Sequence, residues 1–179
     1  QLPPDIPHQL DNQAKFTSPT MSFPNGCHVS EVEIDPSTGE LELVRHTTVD
    51  DVGVILNEDV VEGQIIGAVA QGLGQVIGES LRYDDSGQLL TASFMDYAIP
   101  RADNLPPIVI GHHVVPCRNN PLGVKGAGES GVAGSIPAAT NAILDALSQG
   151  GFNGPLSMPF TTEKIWRAVQ PSSSRETIA

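Results

Sequence analysis

Cysteine and basic residues are scarce in this sequence, and no long apolar run interrupts it. The only cysteines, Cys27 and Cys117, form no C-x-x-C pair and have no histidine at zinc-finger spacing, which excludes the common structural zinc motifs. Such sparse usage predicts two free thiols in a reducing, cytoplasmic compartment, with a single bridge between them as the alternative. Nine Lys and Arg stand against 21 Asp and Glu, a formal net charge of −12. That surface repels a phosphate backbone and argues against nucleic acid as a partner. No apolar run approaches the roughly 20 residues a membrane span needs, and no signal-like segment opens the chain at Gln1. Internal repeats are also missing.

What is present is a globular pattern. A chain of 179 residues can bury a core without disulfides, and 18 glycines and 15 prolines make it rich in loops. Residues 1–24 are proline-rich without a sustained period and read as an extended arm. The segments HVSEVEI (28–34) and LELVRHTTV (41–49) read as a hairpin around DPSTGE, in which Pro36 and Gly39 supply turn geometry. From Asn57 to Leu81 apolar residues recur at four-residue steps, which predicts a helix capped by Asn57. RYDDSGQLLTASFMDYAIP predicts a second hairpin, PIVIGHHVVP a further strand, and SIPAATNAILDALSQGG a second helix starting at Ser135. MPFTTEKIW predicts a closing helical turn or two before a solvated tail at 169–179. The fold class expected is α+β: hairpins and a mixed sheet packed with two main helices, in one domain over 25–168.

Two features carry chemistry. The first is the 57–81 helix, with glycines at 63, 67, 72, 74 and 78, each costing roughly 1 kcal/mol relative to alanine. At about 100° per residue, Gln64, Gly67, Gln71, Gly74, Gln75 and Gly78 share an arc opposite the apolar one. Small residues and neutral amides on one arc suit either close packing on another helix or a hydrogen-bonding ligand.

The second is NPLGVKGAGESGVAG. Its GAGESG (126–131) satisfies G-x-G-x-x-G, the dinucleotide fingerprint, but in the wrong context. The preceding strand ends too early, the following helix is expected to begin too late, and the acid about 20 residues on, Asp145, falls within that helix. A glutamate beside a pyrophosphate would also cost on the order of 1 to 4 kcal/mol. Glycines around Glu129 instead suit a loop that projects one carboxylate toward a ligand, or an ordinary solvated surface loop. Lys125 would either pair with that carboxylate or meet an anionic ligand. His112 and His113 are neighbours in a strand, point to opposite faces and are not expected to share a metal; no metal-ligating set is expected in the chain.

FPNGCHVSEVEIDPSTGELELV, VDDVGVILNEDVVEGQIIGAVAQGLGQ, GQLLTASFMDYAIPRADNLP and NPLGVKGAGESGVAGSIPAATNAILDAL together resemble the C-terminal part of the molybdenum-binding large subunit of the xanthine dehydrogenase, aldehyde oxidase and aerobic carbon monoxide dehydrogenase family. The likeness runs from about Phe23 to Trp166. It implies oxidative hydroxylation of an aldehyde, an N-heterocycle or carbon monoxide at a molybdenum–molybdopterin cofactor, in its simple or dinucleotide form. By the same resemblance, Glu129 is the general base acting on a metal-bound hydroxyl, Gln64 and Gln71 face the cofactor, and Lys125, Gly126, Ala127 and Gly128 lie along it. The chain is then a fragment or one piece of a split subunit, inactive alone. It would work with the remainder of the large subunit and with iron–sulfur and flavin (FAD) domains or subunits. A non-catalytic assembly homologue and a dinucleotide-binding module are the alternatives.

Overall fold

The computed structural model describes residues 13–170, so part of the predicted arm (1–12) and the tail from 171 lie outside the described residues. Residues 13–24 contain neither helix nor strand. Strands β1 (Asn25–Ile34) and β2 (Leu41–Asp51) pair antiparallel as the expected hairpin. In its turn the Asp35 carboxylate accepts from the Ser37 amide at 2.8 Å and the Ser37 hydroxyl at 2.7 Å. Strand β3 (Ile108–His112) then adds parallel to β2, giving the order β1-β2-β3 and the expected mixed sheet. A parallel neighbour requires a crossover connection, and helix α1 (Glu58–Ile77) lies within it.

One irregularity sets the character of the sheet. The register shifts between Glu31 and Val32, so that Glu31 pairs with Arg45 and Val32 with Leu43. The extra residue in β2 switches which positions of that strand point inward. Leu41 and Leu43 pack against the core at one end, whereas His46, Thr48 and Asp50 are buried at the other. The same inner face is therefore apolar at one end and polar at the end near α1's N-terminus.

Asn57 caps α1 as expected, its Oδ1 accepting from the Val60 amide at 3.1 Å. By length and composition α1 is apolar enough to cross a membrane, contrary to the reading of the sequence, but it is the core helix here. Its Ile65, Val69, Leu73 and Val76 are fully buried against Ala139, Ile143 and Leu147 of α2 (Ser130–Gln149), with Phe160 and, from α3 (Thr162–Val169), Ile165 and Ala168. Two glycines let the helices approach. A Cβ at Gly131 would lie 2.6 Å from the Ile65 carbonyl oxygen, and one at Gly72 would overlap the Ser135 hydroxyl. Small-residue packing thus accounts for part of the glycine content of α1.

Two expectations need correction. The second hairpin reduces to a single bridge between Tyr83 and Leu89, closed by a turn whose Asp84 carboxylate bonds the Ser86 and Gln88 amides. Side-chain turn bonds satisfy that backbone locally, so no ladder extends from it. Helix α2 begins at Ser130, not Ser135, and Pro137 lies inside it. The Ser130 hydroxyl bonds back to the Ala127 carbonyl at 2.9 Å, and burial of the Gly131 turn against α1 carries the helix through the proline.

Leu73→Ala would leave a cavity at the centre of the helix pair. The expected cost is about 2–5 kcal/mol, read as a lower urea midpoint with an unchanged slope.

Candidate active site

The glycine loop is tied down from below. After β2, Gly53 adopts φ +70 and its amide bonds the Asp51 carboxylate at 2.9 Å. A side chain there would meet the Gly123 carbonyl at 2.4 Å and the Lys125 amide at 2.9 Å, so glycine is required on both counts. The Val54 amide donates to the Gly123 carbonyl at 2.9 Å, and the Lys125 amide to the Val52 carbonyl at 2.9 Å. Asn120 clamps Val124 from both sides, accepting its amide at 3.1 Å and donating to its carbonyl at 2.9 Å. The loop is therefore laced to the end of β2.

Asp51 is the hub of this lacing. Its carboxylate accepts from Gly53 N–H, from Val115 N–H at 3.1 Å, and from Lys125 Nζ at 2.5 Å. Burial pushes its pKa up, but the bond from Lys125 and the two amides outweigh that and hold it at about 2. Lys125 thus pairs with Asp51, not with Glu129, and what its segment offers a ligand is backbone.

Glu129 is the N-cap residue of α2, and its side chain makes no capping bond. It is exposed, and its carboxylate has no hydrogen-bond or ion-pair partner among the described residues. It lines a cleft of about 420 Å³ with Phe23, Gly26, His28, Asp50 and Gly134. Across from the loop, Gln64 Oε1 lies 3.8 Å from the point where a Cβ on Gly128 would stand. Gln71, two turns further along α1, is exposed on the same side as Gln64 and Gly67. A Cβ at Gly63, Gly67 or Gly126 would have open space around it. The amide arc is divided: its first half is open beside the glycine loop, while Gly74 and Gly78 are covered by Pro100 and Ala98. Exposed amides next to open backbone offer donors and acceptors to a heteroatom-rich ligand, and the donor set fits a pterin.

Sequence reasoning missed the layer beneath the cleft. His28, Ser30, His46, Thr48 and Asp50 form a continuous hydrogen-bonded row on the inner face. Thr48 donates to Asp50 Oδ2 at 2.5 Å, which leaves its oxygen to accept from His28 Nε2 at 2.9 Å. His28 Nδ1 then accepts from His46 Nε2 at 3.0 Å, and His46 Nδ1 from the Ser30 hydroxyl at 2.8 Å. Every member of the row has a hydrogen-bond partner within it. Burial, aided by the neighbouring His28 and opposed by Asp50, pushes His46 down to about 4. Burial alone would raise Asp50, but its bonds with His28 and Thr48 hold it below the usual carboxylate range. Gly134 is the gap into which the His28 ring fits, at 2.1 Å from the site of a Cβ. The signal was present as alternation, C-H-V-S in β1 and H-T-T-V-D in β2, with polar residues at every second place.

GAGESG does open a helix directly, which removes one objection to a nucleotide fingerprint. The other two stand, since β3 ends at His112 and Asp145 lies inside α2. Lys125→Met would strand a buried carboxylate, at an expected cost of about 3–5 kcal/mol at neutral pH. Because Asp51 is depressed in the folded chain, the pair's contribution is complete above about pH 4 and disappears as pH falls toward 2. Denaturation midpoints of parent and variant should therefore converge over that interval.

Residues 5–106 match the family described as molybdopterin cofactor-binding domain. The chain is 45% identical over 148 residues to the nicotine 6-hydroxylase large subunit of Paenarthrobacter nicotinovorans, covering 83% of this chain and 18% of that protein. It is 34% identical over 170 residues to the carbon monoxide dehydrogenase large chain of Hydrogenophaga pseudoflava, covering 95% of this chain and 21% of the relative. A span of that length includes the Glu129 loop. Among solved structures, quinoline 2-oxidoreductase from Pseudomonas putida 86 superposes with a TM-score of 0.75 at 39% identity, over 79% of this chain and 18% of that one. The chain spans about a fifth of the length of the curated relatives it matches. An α+β unit with an open amide face beside a glycine loop, matched over more than half its length by one family, belongs to the molybdopterin cofactor-binding domains of the molybdenum hydroxylases.

Proposed function

We propose that this chain is the C-terminal portion of a molybdenum hydroxylase large subunit, and that Glu129 is its general base. The observation that carries the reading is the Glu129 carboxylate: exposed, without a partner among the described residues, and set on a loop that Asp51 and Asn120 hold against Gln64. A base needs a free carboxylate oxygen in a fixed place, and a helix N-cap on a laced loop supplies the place.

Gln64, Gln71 and the backbone of Lys125, Gly126, Ala127 and Gly128 would hold the molybdopterin group. When bound, that group supplies the redox-active metal that takes the electron pair lost by the substrate carbon. Glu129 would accept one proton on its carboxylate and hold it there. At the wall of the same cleft, the bonds from His28 and Thr48 hold the Asp50 carboxyl below the usual carboxylate range.

The likeness to a nicotine hydroxylase and a quinoline oxidoreductase favours an N-heterocycle as substrate, with aldehydes and carbon monoxide as the other classes. The remainder of the large subunit and iron–sulfur and flavin partners complete the enzyme, and the complex is cytoplasmic. A screen of the three substrate classes with an artificial electron acceptor distinguishes them.

In the intact complex, Glu129→Gln is expected to lower turnover by about 10²- to 10⁴-fold with molybdenum and pterin content unchanged. Retention of both cofactor and parental turnover would remove the base assignment and leave the assembly role. Gln64→Ala is expected to lower pterin content.

A further inference from the structure

His112 closes β3 opposite Asp50 of β2, on the inner face of the sheet. Both of its ring nitrogens are buried and have no hydrogen-bond partner among the described residues. A buried imidazole with two unused nitrogens is uncommon, because leaving a polar group without a partner costs about 1–3 kcal/mol. Facing it are Glu58 and Glu62, four residues apart and so on one face of α1.

The ligand atoms of Glu58, Glu62 and His112 all lie within 4.8 Å of one another. The His112 Nε2 to Glu62 Oε1 distance is 4.0 Å, too long for a hydrogen bond. It is within the span of two metal–ligand bonds of roughly 2.0–2.2 Å sharing one ion. No lysine or arginine pairs with either glutamate among the described residues, and Lys125 is held by Asp51. The positive end of α1 opposes a cation here, but two full negative charges outweigh a helix dipole's half charge.

We propose that Glu58, Glu62 and His112 form a second metal site, for a divalent ion of the zinc type, independent of the molybdenum centre. One imidazole nitrogen with two carboxylate oxygens suits such an ion better than magnesium or calcium, which favour oxygen alone. The site clamps the first two turns of α1 to the end of β3. Glu62 lies two residues before Gln64, so the clamp fixes the part of α1 that faces the glycine loop.

The test is titration of the full chain with Co²⁺ alone, followed by its visible absorption and by calorimetry. One equivalent should bind, and bound metal should raise the melting temperature. His112→Ala and Glu62→Gln should each weaken binding by about tenfold or more, while a Cys27→Ser, Cys117→Ser double variant binds like the parent. Glu62→Gln keeps the helix surface nearly unchanged and serves if His112→Ala unfolds. Absence of binding at micromolar Co²⁺, binding that survives both single variants, or binding lost with the cysteines would each overturn the site. None of these outcomes depends on Glu129 or on molybdenum.

Discussion

The structure depends on one buried ion pair and the carboxylate at its centre. Asp51 ends β2, and from there its two oxygens reach an amide just beyond the strand, an amide of the segment after β3, and the ammonium of Lys125. The 115–125 stretch, more than 60 residues on, is thereby drawn to the end of β2 at two points. Two buried charges gain little by themselves over a well-packed apolar pair, because desolvation opposes their attraction. What they do here is fix position: with Lys125 held on Asp51, the 120–128 loop brings Gly128 beside Gln64.

From that anchor the helices follow. Gly131 and Gly72 allow α2 to lie close on α1, so that the buried stripes of both helices meet and their packing offsets the cost of glycine. The same crossing carries Glu129, as the N-cap of α2, to the mouth of the cleft. Packing, loop and carboxylate are one arrangement. Beneath it, the bulge in β2 converts the inner face from apolar to polar, and the members of the His28–His46–Thr48–Asp50 row satisfy one another there.

Much of the site was legible in the residues. Local rules sufficed for the β1–β2 hairpin, the Asn57 cap and the helical stripe of α1, because each is governed by neighbours within a turn or a strand pair. Glu129, Gln64 and the glycine loop were singled out by glycine placement and by resemblance. The row under the cleft was not, because a polar alternation in a strand reads as a solvated face until something covers it. The start of α2 lies five residues before the expected Ser135, because the turn around Gly131 is buried on α1, a contact that no local pattern reveals.

Periodicity, turn chemistry and motif order, read from the sequence by itself, determined the element types, the α+β class and the family to which the glycine loop points. Tertiary structure alone decided the partner of Lys125, the hydrogen bond between His28 and His46, and the meeting of Glu58 and Glu62 with His112. Each of those rests on charges and hydrogen bonds between segments distant in the chain. Their strength depends on burial and distance, which only the folded arrangement defines.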